Sequence, residues 1–170
     1  MNNRNISRDN ANPHSNSGNY PSVNRAKFLR ELYTAYTAEL ESISDCLYYG
    51  LILSEYDPDM SEILENIAID DMKHFKKLGQ LLMTLGANPA INTKFRTGGA
   101  NMFPSAEDKR TDSMASSVAD YLIAQKSAAV DKYSNILKDA PDISIMNIIN
   151  SITSDEQKHR HMLMNYCMYI

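Results

Sequence analysis

The chain has 170 residues, 43% hydrophobic and 22% charged, a formal charge of -4 and a pI near 5.5. That length suits one domain with a sizeable core, and the composition is ordinary for a globular protein. An acidic chain without a basic stripe does not displace the counterions of nucleic acid, no run of about 18 apolar residues is present to span a membrane, and the opening MNNRNISRDNAN lacks the apolar segment of a secretory signal. Neither nucleic acid nor membrane is therefore expected as a partner, and a cytoplasmic location is.

Residues 1–23 are rich in Asn, Ser, Gly and Pro, a composition too poor in apolar groups to offset the entropy of ordering, and they are predicted to form a flexible polar tail. A first helix is predicted over about 24–56, where Leu32, Tyr36, Glu39, Ile43, Cys46, Gly50 and Leu53 recur in steps of three and four. The DPDM segment (57–60) breaks and restarts the chain, with Pro58 suited to a first helical turn. The second helix, about 59–86, carries Met60, Leu64, Ile67, Asp71, His74, Leu78, Leu81 and Leu85 on one seam, and GANP (86–89) stops it.

A polar connection from about Ala87 to Lys109 shows no periodicity, and its length suits a crossover from one end of a bundle to the other. The third helix, about 111–139, aligns Ala119, Leu122, Lys126, Ala129, Tyr133 and Ile136. After the turn at Pro141, the fourth, about 142–169, aligns Ile145, Ile149, Ile152, Glu156, His159, Leu163 and Tyr166. No segment shows strand alternation, so the prediction is all-α: two helical hairpins joined by one long crossover. Cys46 and Cys167 are too far apart for a CxxC unit and read as buried free thiols in a reducing compartment, a bridge between them being the alternative.

Each seam is apolar except near its middle, where Glu39, Asp71, His74, Lys126, Glu156 and His159 intervene. At about 1.5 Å of rise per residue, their distances from the turns place all six in one layer, within roughly two helical turns. There is an internal echo: Glu39 is followed by Asp71-Met-Lys-His74, and Lys126 by Glu156-Gln-Lys-His159. The i, i+3 spacing sets each acid and its histidine on one helix face. Two such pairs facing each other offer oxygen and imidazole donors that suit iron or manganese. A single acid-x-x-His is more often a solvated face, and a lone seam glutamate a boundary residue. His161 reads as exposed, and Glu41, Asp70 and Asp155 as surface charges. Tyr36, Tyr48, Tyr49 and Tyr133 lie near the layer, where packing with hydroxyls bonded to carboxylates is preferred over electron relay.

IAIDDMKHFKKLGQLLMTLGANP (67–89) resembles the second helix of rubrerythrin-like members of the ferritin-like superfamily, which read IA-x-x-E-x-x-H-x-x-x-LG-x-x-x-x-x-LG-x-x-P. YTAELESISDCLYYGLIL (36–53), AQKSAAVDKYSNIL (124–137) and INSITSDEQKHRHML (149–163) resemble the first, third and fourth helices. The resemblance implies an up-down-down-up four-helix bundle that holds two iron or manganese ions and reacts with peroxide or dioxygen. Carried over by position, Glu39, His74, Glu156 and His159 match metal ligands, Asp71 stands where the family has Glu, and Lys126 replaces the third-helix glutamate. An ammonium has three donors and no acceptor, so it is no ligand while protonated. The cysteine pairs of a rubredoxin domain are absent, so a redox role implies a separate electron donor. Relatives of this kind also imply a homodimer.

Three carboxylates and one ammonium leave about two negative charges, enough for one divalent ion. Alternatively Lys126 replaces metal entirely as an internal counter-ion, or a neutral Lys126 amine acts as a nitrogen ligand. The expected cofactor is thus iron or manganese, as one ion, two or none. Two functions follow: a rubrerythrin-like oxidoreductase acting on peroxide or dioxygen, or a metal-free or single-metal bundle with a structural or interaction role. Iron storage is a weaker reading, because no cage-contact surface is identifiable.

Overall fold

The computed structural model describes residues 22–91 and 111–168. Within them lie four helices, α1 (Ser22–Leu53), α2 (Pro58–Thr84), α3 (Thr111–Lys138) and α4 (Ile143–Cys167), and no strand. The rest of the predicted tail and most of the predicted crossover fall outside the described residues.

Helix ends follow the local chemistry. α1 starts two residues inside the predicted tail and stops short of the predicted Tyr56, because the Leu53 carbonyl accepts from the Tyr56 and Asp57 amides at 2.9 and 2.7 Å and closes a turn. Asp57 then caps α2, accepting from the Met60 amide at 3.0 Å, with Pro58 in the first helical position. At the other end Gly86 adopts a φ of +77°, its amide bonding to Met83 and that of Ala87 to Leu82, both at 2.9 Å. This paired reversal needs a left-handed residue, which glycine supplies without a Cβ penalty. Asp142 caps α4 through the Ser144 and Ile145 amides at 2.8 and 3.0 Å.

α1 packs chiefly on α2 and α3 on α4, with lateral contacts between α1 and α3 and between α2 and α4. Two apolar clusters fix the directions. One joins Phe28, Leu32 and Tyr36 of α1 to Leu78 and Leu82 late in α2, Tyr133 and Ile136 late in α3, and Ile145 and Ile149 early in α4. The other joins Cys46 and Leu53 to Met60 and Leu64, Ala115 and Leu122, and Leu163. α1 and α4 therefore run one way and α2 and α3 the other, the up-down-down-up order of a ferritin-like bundle. Between the clusters each helix passes through a polar stretch, and the two clusters shield that layer from above and below.

Close approach of α1 and α2 beside the layer depends on Gly79. A Cβ there would sit 3.1 Å from the Tyr36 ring, which stacks on Phe75 at 4.2 Å between centroids. Both cysteines are free. Cys46 is buried as expected, and burial pushes its thiol up to about 12. Cys167, in the last turn of α4, is only half-buried, which corrects the expectation that both thiols lie in the core. No described helix is long and apolar enough to cross a membrane.

Candidate metal centre

All six polar seam residues meet in the layer between the two clusters. Asp71 is 0% exposed and Lys126 1%, and Glu39, His74, Glu156 and His159 are equally enclosed. Each comes from mid-helix, so its height is set by helical rise and its direction by the seam on which its apolar neighbours pack.

Asp71 Oδ2 accepts from Lys126 Nζ at 2.6 Å and from Ser42 Oγ at 2.7 Å. The same ammonium lies 3.1 Å from Glu156 Oε2. His74 Nδ1 faces three carboxylates: Glu156 Oε1 at 3.2 Å, Glu39 Oε2 at 3.6 Å and Asp71 Oδ1 at 3.7 Å. His159 Nδ1 lies 3.5 Å from Asp71 Oδ1 and 3.7 Å from Glu156 Oε1. The Tyr133 hydroxyl donates to Glu39 Oε1. Of the four tyrosines near the layer this one reaches it. Tyr36 stacks on Phe75, Tyr49 packs edge-on against Tyr48 and Tyr121, and Tyr48 is half-exposed.

A second set of carboxylates crosses between the hairpins. Asp155, beside Glu156 on α4, meets His74 Nε2 of α2 at 3.3 Å; Asp70, beside Asp71 on α2, meets His159 Nε2 of α4 at 3.4 Å. Lys158 and Lys73 in turn hold these acids at 2.8 and 2.6 Å. Asp70 and Asp155 are partly exposed, yet the reading of them as mere surface charges is corrected: each fixes the outer nitrogen of a buried imidazole and turns Nδ1 inward. The signal was present in the echo, which reads Asp-acid-x-Lys-His at both 70–74 and 155–159. Ser42, one turn beyond Glu39, was also missed. Glu41 and His161 are exposed, as expected.

Burial and charge compete throughout. Burial raises the Asp71 carboxyl to about 6, with Lys126 pulling it back and Glu156 and Glu39 pushing it further. Burial would also raise Glu156, but His159, His74 and Lys126 outweigh it and hold Glu156 well below the usual range. Between these two carboxyls a proton resides on Asp71 rather than on Glu156. Burial would lower His74, yet Glu156 and Glu39 raise it to about 10. Burial would likewise lower Lys126, and Glu156 and Asp71 more than compensate, raising it. Without metal, its carboxylate neighbours therefore hold Lys126 as an ammonium.

Glu39 Oε2, Asp71 Oδ1, Glu156 Oε1 and Oε2, and Nδ1 of both histidines are buried without a hydrogen-bond partner. Unsatisfied buried polar atoms cost about 1–3 kcal/mol each, and here those of Glu39, Asp71, His74 and Glu156 lie together. Glu39, Asp71, His74 and Glu156 each offer a donor atom within 4.8 Å of the others, so these residues fit a cation. Three carboxylate oxygens and one imidazole nitrogen form a donor set suited to iron or manganese. A cleft of about 160 Å³ between α1 and α3, walled by Ala35, Ala38, Ala128 and Ala129, leads to Glu39, Lys126 and Tyr133.

No family model and no curated protein matches this chain. Among solved structures it is similar to the bacterioferritin of Desulfovibrio desulfuricans, whose diiron site is described in different catalytic states, at 23% identity over 87% of this chain and 82% of that one, with a TM-score of 0.69. It is also similar to Rhodobacter capsulatus bacterioferritin, described with a metal-free dinuclear site and haem iron, at 20% identity over 85% of each chain, with a TM-score of 0.67. At these identities the likeness establishes the fold: the chain is a ferritin-like four-helix bundle.

Proposed function

We propose that this protein is a metal-dependent oxidoreductase that holds iron or manganese in the middle of its bundle and acts on peroxide or dioxygen. The observation that carries the reading is the convergence of unpartnered, fully buried carboxylate and imidazole atoms from α1, α2 and α4. Three buried acids against one ammonium leave negative charge in a dry interior, and an added cation among them would offset it. The diiron site of the Desulfovibrio bacterioferritin supports the reading, because that protein shares the fold.

Glu39, Asp71, His74 and Glu156 would hold the ion, which when bound supplies the one-electron chemistry that side chains lack. The chain's own residues prepare the place. Asp155 orients His74, the Tyr133 hydroxyl fixes Glu39, and Ser42 with Lys126 holds Asp71 Oδ2 so that Oδ1 stays available. The apolar clusters exclude bulk water above and below, while the α1–α3 cleft gives a small oxidant a way in. Reducing equivalents come from a separate donor, and the chain works as a homodimer.

The test is elemental analysis of protein grown with added iron and manganese, followed by peroxide consumption by the reduced, loaded protein. Stoichiometric metal, and turnover lost in Glu39→Ala, support the reading; trace metal alone sinks it. A second reading is favoured by the 2.6 Å Lys126–Asp71 ion pair: a metal-free bundle in which Lys126 serves as internal counter-ion and the protein has a structural or interaction role. That reading is supported if well-folded protein refuses metal.

A further inference from the structure

We infer that the centre takes a single divalent ion, at the Glu39–His74 side, and that Lys126 stands where a second ion would need its ligands. This rests on the metal-binding reading above and fixes the number and place of the ions.

Each half of the echo offers an acid, an imidazole and one further polar residue, but the further residue differs. On the His74 side it is Glu39, whose Oε2 is unspent and 3.6 Å from His74 Nδ1. Asp71 and Glu156 complete that group, each of the four residues offering a ligand atom within 4.8 Å of the others, and their Oδ1 and Oε1 lie 3.7 and 3.2 Å from His74 Nδ1. On the His159 side the further residue is Lys126, and it adds no acceptor. To bridge two ions, Asp71 and Glu156 would each have to offer one oxygen to either ion. The distal oxygen of Asp71 is already spent, since Oδ2 receives Lys126 and Ser42 at 2.6 and 2.7 Å; Glu156 Oε2 accepts no hydrogen bond but lies 3.1 Å from the Lys126 ammonium, so a second ion on it would sit against that charge. A second ion would have His159 as its one unshared ligand and would sit against a fixed positive charge.

Charge leads to the same count. Glu39, Asp71 and Glu156 against Lys126 leave two negative charges, which one divalent ion neutralises. A second would leave two uncompensated positive charges in a layer closed by apolar clusters on both sides. The donor set therefore fits one ion and does not fit the two of a dinuclear centre.

Manganese is the probe, because it counts sites without turnover. Metal-stripped full-length protein is titrated with Mn²⁺ under argon, bound metal is measured after desalting, and electron paramagnetic resonance reports whether the ions are isolated or exchange-coupled. One ion per chain with an isolated signal is expected, and Lys126→Glu should take up a second ion and show coupling. Two ions or a coupled pair in the wild type would overturn the one-ion inference while leaving the metal-binding reading intact. No bound manganese or iron at all would overturn both. Should Lys126→Glu fail to fold, two histidine variants decide the matter. His74→Gln should weaken manganese binding about tenfold or more relative to His159→Gln, and equal losses refute the assignment to the His74 side.

Discussion

Replacing Lys126 by methionine keeps the volume of the side chain and removes its charge, so it isolates the electrostatic part of the layer. The ammonium is 1% exposed and sits 2.6 Å from Asp71 and 3.1 Å from Glu156. Removing one partner of such a buried pair costs about 3–5 kcal/mol, because the remaining charges stay buried. Asp71 has a way to limit the damage: its pKa already stands at about 6, with Lys126 holding it down. Without the ammonium it takes up a proton at neutral pH, which places the loss near the lower end, about 3 kcal/mol, or roughly 6–12 °C in Tm for a chain of this size. Urea unfolding of metal-free protein, followed by helical circular dichroism in the presence of a chelator, measures it. The loss should be larger near pH 7.5 than near pH 5.5, where Asp71 is increasingly protonated in wild type as well. A loss below about 1 kcal/mol, or one independent of pH, would refute the counter-ion role of Lys126.

In the metal-free protein the pH dependence has a definite sign. His74 is raised to about 10 and Asp71 to about 6, so both favour the fold at low pH, and that contribution fades as pH rises through about 6 and then about 10. Glu156 is lowered, so its contribution is present above the ordinary 4.5 and lost as pH falls further. Denaturation midpoints should therefore peak in the mildly acidic range, and a maximum above about pH 8 contradicts the assignment. Asp155→Ala, which removes the acceptor facing His74 Nε2 and leaves the ring unsupported, should weaken metal binding about 10–100-fold by equilibrium titration with no loss of helix content; unchanged affinity would show that the crossed carboxylates do not position the imidazoles. Gly79→Ala would place its Cβ 3.1 Å from the Tyr36 ring, and because that ring is stacked on Phe75 it has little room to yield. A loss of about 1–3 kcal/mol is expected in urea unfolding, and a neutral result would mean the α1–α2 contact is softer than its geometry implies.

The fold was legible because periodicity and punctuation agreed. Steps of three and four set four seams, and Asp57-Pro58, Gly86 and Asp142 stopped or started helices through chemistry that can be named from sequence. Boundaries drifted by up to three residues where a turn, rather than a cap, decides. Leu53 illustrates this: its carbonyl closes the α1–α2 turn, and nothing in the apolar pattern marks that choice. Cys167 was placed too deep for a similar reason, since a seam read to its last residue ignores the loss of neighbours at the end of a bundle.

The centre was legible to the depth that spacing reaches. Matched heights along antiparallel helices brought Glu39, Asp71, His74, Lys126, Glu156 and His159 together, as rigid helical rise requires. Spacing alone did not reveal that Asp70 and Asp155 cross between hairpins, because a crossing contact depends on how two helices are rotated against each other. Nor did it show which oxygen of Asp71 is spent. That detail decides the chemistry, since Oδ2 is tied to Lys126 and Ser42 while Oδ1 is left facing both histidines. A layer of three acids can fold between two apolar clusters because Lys126 and a protonated His74 offset most of its charge. An ion that displaces the His74 proton takes over that share, whereas nothing displaces Lys126. The charge balance that lets the empty chain fold therefore also sets how many ions it can accept.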